Sequence, residues 1–306
     1  MSPISSRPYF HSDDISVLVD FLKTVRPAEW ISEYPSEVDL QESMGRASIR
    51  EKTRLWNDEQ GRLSAFAFLL EPYNNFVFEI KPDAGPKIED VLITWGIKSA
   101  DRSMNSLDTS CREDDLHRIA LLERNGFIRL EENTLRLARS LDEPIPPLLL
   151  PEGFTIRPIT GENEVDSIVA LHRSAFGTSN MTRDERLAIM RASDYDPKLD
   201  LVVVASDGRL AGYCTCSISP AENQRSGVKI GHTDPVAVRP DFRRLGLAQA
   251  LLLTGTQLLK ERGMGLALLG TSSDNLPMQK AAQAAGFRVY SKRIWFSKTI
   301  PENNDA

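Results

Sequence analysis

Three residues near the middle of the second half carry the clearest chemical signal. In "RPDFRRLGLAQALL" (239–252), Arg243, Arg244 and Gly246 stand where an apolar strand ends and an apolar-faced helical pattern begins. The first turn of a helix leaves several N–H groups unpaired and carries partial positive charge. A glycine lets another group come close to the backbone. With arginines beside it, such a corner suits a phosphate or pyrophosphate. A solvated turn and a basic patch for nucleic acid are the competing readings. Charge argues against the patch: residues 1–150 hold 18 Lys and Arg against 26 Asp and Glu, a balance of −8, and residues 151–306 hold 19 against 17, a balance of +2. No Lys/Arg run of nucleic-acid type occurs, so no nucleic-acid partner is expected. The chain has no GxxxxGK[ST] nucleotide loop, and "GMGLALLG" (263–270) has the wrong spacing for GxGxxG and precedes a strand instead of following one.

The elements that position this corner read in a regular order. "PEGFTIRPI" (151–159) is a strand, "GENEVDSIVALHRSAFG" (161–177) a helix and "MTRDERLAIMRAS" (181–193) a more polar helix. "LDLVVVASDGRLAGYCTCSIS" (199–219) reads as a hairpin turned at Asp207-Gly208. "KIGHTDPVAVRP" (229–240) is a third strand, in which Pro235 lacks an N–H and predicts a bulge or a frayed ladder. A helix over 246–263, a strand "LALLGTS", a helix "NLPMQKAAQAAG" and a last strand "RVYSKRIWFSK" follow. The strand–helix–strand unit over 236–271 needs a crossover, so its strands are expected to be parallel. The fold class is α/β with a mixed sheet.

A chain of 306 residues has room for roughly two domains of about 150 each. The proline-dense stretch "DEPIPPLLLPEGFTIRPI" (142–159) suits an extended linker. Similar features flank it in the same order. "DEQGRLSAFAFLL" (58–70) parallels "SDGRLAGYCTCSI" (206–218), "FEIKPDAG" (78–85) parallels "VAVRPDFRRLG" (236–246), and "LLERNGFIRL" (121–130) parallels "AAQAAGFRVY" (281–290). This order predicts a duplicated domain, with a first copy at 1–143, a linker at 144–151 and a second copy at 152–306. With 41% hydrophobic and 26% charged residues the composition is that of a soluble globular protein. No signal-peptide pattern and no apolar run of membrane-spanning length is seen, and Cys111, Cys214 and Cys216 form no even disulfide framework, so a reducing cytoplasm with no membrane partner is expected. Cys214 and Cys216 share a strand face, which reads as core packing in preference to metal binding, and no metal is expected.

"VAVRPDFRRLGLAQALL" and, further on, "NLPMQKAAQAAGF" together resemble the GNAT acetyltransferase superfamily: V-x-P then [QR]xxGx[GA], and an Asn-led helix ending in Gly-Phe. The match covers about 152–298. The resemblance implies two tandem GNAT-like domains, acetyl-CoA as cosubstrate, and transfer of its acetyl group to a primary amine of a small molecule or peptide. It implies that backbone N–H groups of Arg243, Arg244, Leu245, Gly246, Leu247 and Ala248 hold the CoA pyrophosphate. It further implies that Val236 and Val238, flanking Ala237, pair with the pantetheine arm as an added strand, and that Asn275 bonds that arm, a role compatible with capping the helix. The first copy has "EIKPDAGPKIED" where the phosphate loop should be and reads as degenerate.

An amine of pKa near 10.4 must lose a proton before it attacks. Asp234 and His232, two apart and on one strand face, are the candidate bases, with a structural role open for each. A strand N–H near Val236 is placed to polarise the thioester carbonyl. The family tyrosine four positions before the Gly-Phe glycine, its usual acid, is here Ala282. Tyr290 is the substitute candidate, or else a buried structural tyrosine. His172 faces the acceptor or sits satisfied beside the core. The missing tyrosine keeps open a second reading, a catalytically silent CoA-binding module.

Overall fold

The computed structural model describes residues 4–10, 13–27, 30, 33–71, 73–179, 181–192 and 194–301. The chain divides into two compact units, one of residues 1–133 with 293–306, the other of residues 134–292. This division differs from one made in chain order around 144–151, because the C-terminal segment packs with the first unit.

The first unit contains β1 (Ser5–Pro8), α1 (Asp14–Val25), α2 (Glu37–Gly45), α3 (Ala47–Glu51), β2 (Thr53–Asn57), β3 (Leu63–Leu70), β4 (Asn75–Ile80), α4 (Pro86–Ser99), β5 (Ser106–Arg112) and α5 (Leu116–Arg124). Its strands lie in the order given, and residues 293–299 add to the β5 edge antiparallel. The strand β3 shows why the sheet is covered on both faces. In "LSAFAFLL", Ala65, Ala67 and Leu69 pack with Ile88, Leu92 and Ile93 of α4. The alternate residues Phe66 and Phe68 pack with Leu18, Phe21 and Leu22 of α1 and Leu40 of α2. Period-two alternation thus serves two apolar faces at once. The helix α2 starts at a capping box in which Ser36 and Asp39 exchange hydrogen bonds.

In the second unit, the chain from Thr134 supplies the end of β6 (Ile128–Ser140), followed by β7 (Phe154–Pro158), α6 (Val165–Phe176), α7 (Arg183–Met190), β8 (Asp200–Ala205), β9 (Leu210–Thr215), α8 (Pro220–Ser226), β10 (Ile230–His232), β11 (Val236–Val238), α9 (Leu247–Glu261), β12 (Leu266–Ser272), α10 (Leu276–Ala284) and the start of β13 (Arg288–Thr299). One sheet has the order β11-β9-β8-β7, and β6, β12 and β10 form neighbours in another. The expected α/β architecture with mixed sheets is present. The β8–β9 hairpin turns at Asp207-Gly208, with Gly208 at φ +83° and the Ala205 N–H bonded to the Arg209 carbonyl.

The expected single strand over 229–240 is two strands. β10 pairs parallel with β12, whereas β11 pairs antiparallel with β9. Pro235, with no N–H to offer, sits in the break. The parallel partner of β12 is therefore the segment before the break, not Val236–Val238 as the crossover reading had it. Leu247, Leu251 and Leu252 of α9 pack on Leu201, Cys214, Cys216 and Ala267, which seats the N-terminus of α9 beside β11. Among the described residues, no helix is long and apolar enough to cross a membrane.

Candidate functional site

The corner between β11 and α9 turns twice through the left-handed region, at Arg244 (φ +66°) and Gly246 (φ +77°). A Cβ on Gly246 would meet nothing within 4 Å, so its exposed face opens away from the protein. The Arg243 N–H bonds weakly to the Pro240 carbonyl, and the first N–H of the helix to find a carbonyl is that of Ala250, bonded to Gly246. Between them, the backbone N–H groups of residues 244–249 have no acceptor among the described residues. Six consecutive donors converge on a helix start with no side-chain cap. This is the geometry of an anion cradle.

The arginines contribute differently from the simplest reading of "RRLG". The Arg243 guanidinium donates to the Ala175 carbonyl in the last turn of α6, at 2.9 Å. It braces the corner against that helix and offsets the partial negative charge at its C-terminal end. Arg244, exposed, supplies the left-handed turn.

Beside the corner runs an open backbone edge. β11 is an edge strand. The Thr215 N–H bonds to Pro235 O and the Arg239 N–H to Ala211 O, which turns the backbone groups of residues 235, 237 and 239 toward β9. By the alternation of an antiparallel ladder, the N–H and C=O of Val236 and Val238 point to the side without a strand. Ala237 is buried, locking the register. Across the gap, β12 departs with β6 after the Thr233 N–H and hydroxyl have both bonded to Leu268 O.

Asp234 spans the mouth of this gap: its Oδ2 accepts from the Gly270 N–H at 3.1 Å. His232 ends β10 and exchanges backbone hydrogen bonds with Ser217. Thus the chain brings Asp234, Val236 and the 244–249 corner along one path. Tyr290 is not joined to them by any hydrogen bond among the described residues, and it is 54% exposed, so the alternative of a buried structural tyrosine fails. Ala282 is fully buried in the core with Phe287. The Asn275 side chain accepts from the Met278 N–H at 3.2 Å and caps α10. His172 Nδ1 lies 2.7 Å from the Tyr213 hydroxyl, and burial, aided by Arg186, lowers its pKa, which fits a satisfied histidine beside the core.

One polar cluster gave no sequence signal. Asp200, fully buried at the start of β8, accepts from Arg186 of α7, from the Tyr195 hydroxyl at 2.6 Å and from Thr215 Oγ1 at 3.1 Å. These residues look like an ordinary solvated set in the sequence, and only the tertiary fold collects them. Cys214 and Cys216 are buried with sulfurs 3.6 Å apart, against Gly255 of α9. Among the described residues, no group of three or more His, Cys, Asp or Glu is placed to hold a metal.

The corresponding corner of the first unit is built otherwise. Only two residues separate Pro82 from Gly85, against five between Pro240 and Gly246, and Pro86 at the helix start has no N–H. It cannot present the same run of donors.

Comparison with known proteins bears on the fold and on what the chain is similar to. Residues 165–287 match the Acetyltransferase (GNAT) family. A mycothiol acetyltransferase of Pseudarthrobacter chlorophenolicus is 28% identical over 180 residues, which cover 58% of this chain; the chain spans 55% of that relative's length. A GCN5-related N-acetyltransferase from Sphaerobacter thermophilus superposes with a TM-score of 0.74 at 20% identity, covering 100% of this chain and 99% of the other. A tandem GNAT protein from the clavulanic acid biosynthesis pathway superposes with a TM-score of 0.72 at 16% identity, covering 99% and 100%. Residues 165–287 are thus similar to the GNAT acetyltransferase family, and the chain as a whole shares the fold of these tandem GNAT structures.

Proposed function

We propose that this protein is an acetyl-CoA-dependent N-acetyltransferase that moves the acetyl group directly to a primary amine. The observation that carries the reading is the run of six unpaired N–H groups at 244–249 beside the open edge of β11. The cradle seats the pyrophosphate, with donors already oriented and left-handed turns already in place. The pantetheine arm then lies along Val236 and Val238 as an added strand, reaching toward the gap that Asp234 spans. Asn275 keeps its cap through its carbonyl oxygen and offers its amide N–H₂ to the arm.

In the transfer, the neutral amine nitrogen attacks the thioester carbonyl, the carbon–sulfur bond breaks, the nitrogen gives up one N–H proton to become the amide, and the departing thiolate takes up one proton. Asp234 or His232, acting through water, takes the proton of the ammonium before attack. The Val236 N–H, facing the gap, is the donor for the carbonyl oxygen. A thiol of pKa about 8.5 is a good leaving group, so water or Tyr290 suffices as the acid where Ala282 replaces the usual tyrosine. The acceptor is a small-molecule or peptide amine. The name of the curated relatives makes mycothiol-related amines the first to include in a panel.

Calorimetry with acetyl-CoA tests the reading, with Gly246→Trp as control: binding by the unaltered chain and its loss in the variant are expected, and equal binding by both sinks it. The buried Ala282 favours a second reading, a CoA-binding module without turnover. Free CoA released across an amine panel separates the two.

A further inference from the structure

The first unit holds a charged cavity that the transfer reaction does not use. In that unit β4 and β5 are paired only at Asn75 and Asp108, and beyond that point they diverge. The space between them is not open backbone edge, as it is beside β11. Arg118, from the start of α5, donates to the Phe78 carbonyl at 3.0 Å and to Glu79 Oε2 at 3.0 Å. Arg26, from the end of α1, donates to Glu79 as well. What remains is a cavity of about 150 Å³ bounded by residues from α1, β4, β5, α5 and Arg293.

The charges around it are unevenly matched. Glu79 is shared by two guanidinium groups, and Glu33 accepts from Arg112 at 2.9 Å. Asp115 pairs with Arg118. Arg293 is the cation left over. Its Nε and Nη2 donate to Ser110, and among the described residues its Nη1 has no acceptor and no carboxylate stands within ion-pair distance of it. Burial lowers its pKa to about 10; Glu33 opposes that lowering, and Arg118 and Arg26 add to it. A half-buried cation without a carboxylate is favoured by an anion that completes it. Two aromatic rings share the wall: Tyr34 lies 5.7 Å from the Arg293 guanidinium, and Trp30 lies 4.6 Å under that of Arg112.

We propose that this cavity is a second ligand site, one that takes a small carboxylate with a flat apolar body, its carboxylate on Arg293 and its body against Trp30 and Tyr34. The cavity is roomy enough for a small ring-bearing carboxylate. Phosphate esters are disfavoured, since Arg26, Arg112 and Arg118 already pair with Glu33, Glu79, Asp114 and Asp115, and a single negative charge suits the one remaining guanidinium. The site lies wholly within the first unit and stands apart from the acetyl-transfer reading.

The test is calorimetric titration of the full chain with benzoate, with pyruvate as a smaller carboxylate and benzamide as the neutral match. Benzoate is expected to saturate with Kd of about 1 mM or tighter while benzamide does not, and Arg293→Gln is expected to weaken benzoate by at least about tenfold. Equal binding of benzoate and benzamide overturns the proposal. So does unchanged affinity in a folded Arg293→Gln chain, or failure of both carboxylates to saturate below about 10 mM. Should Arg293→Gln not fold, Trp30→Phe replaces it: benzoate is expected to change tryptophan emission in the unaltered chain but not in this variant, and an unchanged response in the variant overturns the placement.

Discussion

Replacing Ala248 by proline removes one donor from the proposed pyrophosphate cradle while leaving the helix able to form. Position 248 is the second residue of α9, where the N–H has no intrahelical partner in any case. The chain already tolerates this arrangement, since Pro277 is the second residue of α10 and follows a helical Leu276. Folding should therefore be little affected, and a melting curve close to that of the unaltered chain is expected. Binding should suffer more. A hydrogen bond to a charged group contributes about 1.5–3 kcal/mol net, so losing one of the six donors weakens CoA roughly 10- to 150-fold. Calorimetry of CoA against both chains measures this directly. Pantetheine, which lacks the pyrophosphate, serves as the internal control and should bind both chains alike. A folded Ala248→Pro chain that binds CoA as tightly as the unaltered one refutes the cradle. An equal loss for pantetheine would mean the variant had disturbed β11 instead.

Other consequences concern stability and pH. Arg186→Met leaves Asp200 buried with one charged partner fewer, and urea denaturation should show a loss of about 3–5 kcal/mol. Burial pushes the Glu79 carboxyl up, but Arg118 and Arg26 outweigh it and bring it down from 4.5 to about 2. A depressed carboxyl stabilises the fold above its unfolded pKa, so about 3 kcal/mol should be lost as pH falls from about 4.5 to 2, and Glu79→Gln should flatten that part of the stability profile. Gly255→Ala places a Cβ 2.6 Å from the Cys216 sulfur and should cost about 1–3 kcal/mol by overpacking, read from the denaturation midpoint.

The parts of this architecture that were legible in the sequence are those written in local chemistry. Pro235 announced a break because a missing N–H is a property of one residue, and the strand does divide there. Asp207-Gly208 marked its hairpin because a left-handed turn needs a permissive residue. The corner at 243–248 was visible because glycine, arginines and helix start fall within one turn. Its donors run from 244 to 249, one place further along, since the Arg243 N–H is engaged locally. What was not legible depends on partners far away in the chain. The Arg243 side chain finds a carbonyl 68 residues earlier. The exposed face of Tyr290 and the pairing of residues 293–299 with β5 follow from how the last strand is shared, which no spacing encodes. The cavity of the first unit draws its lining from positions as far apart as Val25 and Arg293, so no motif could contain it.

The most direct test of the central claim is the stoichiometry of acetyl-CoA binding, titrated calorimetrically into the unaltered chain and into Gly246→Trp. Among the described residues, the second unit presents the run of unpaired donors, whereas the first has the shorter loop and Pro86 at its helix start. The account predicts one equivalent bound per chain and none in the variant. Two equivalents, none at all, or one that survives Gly246→Trp would contradict it.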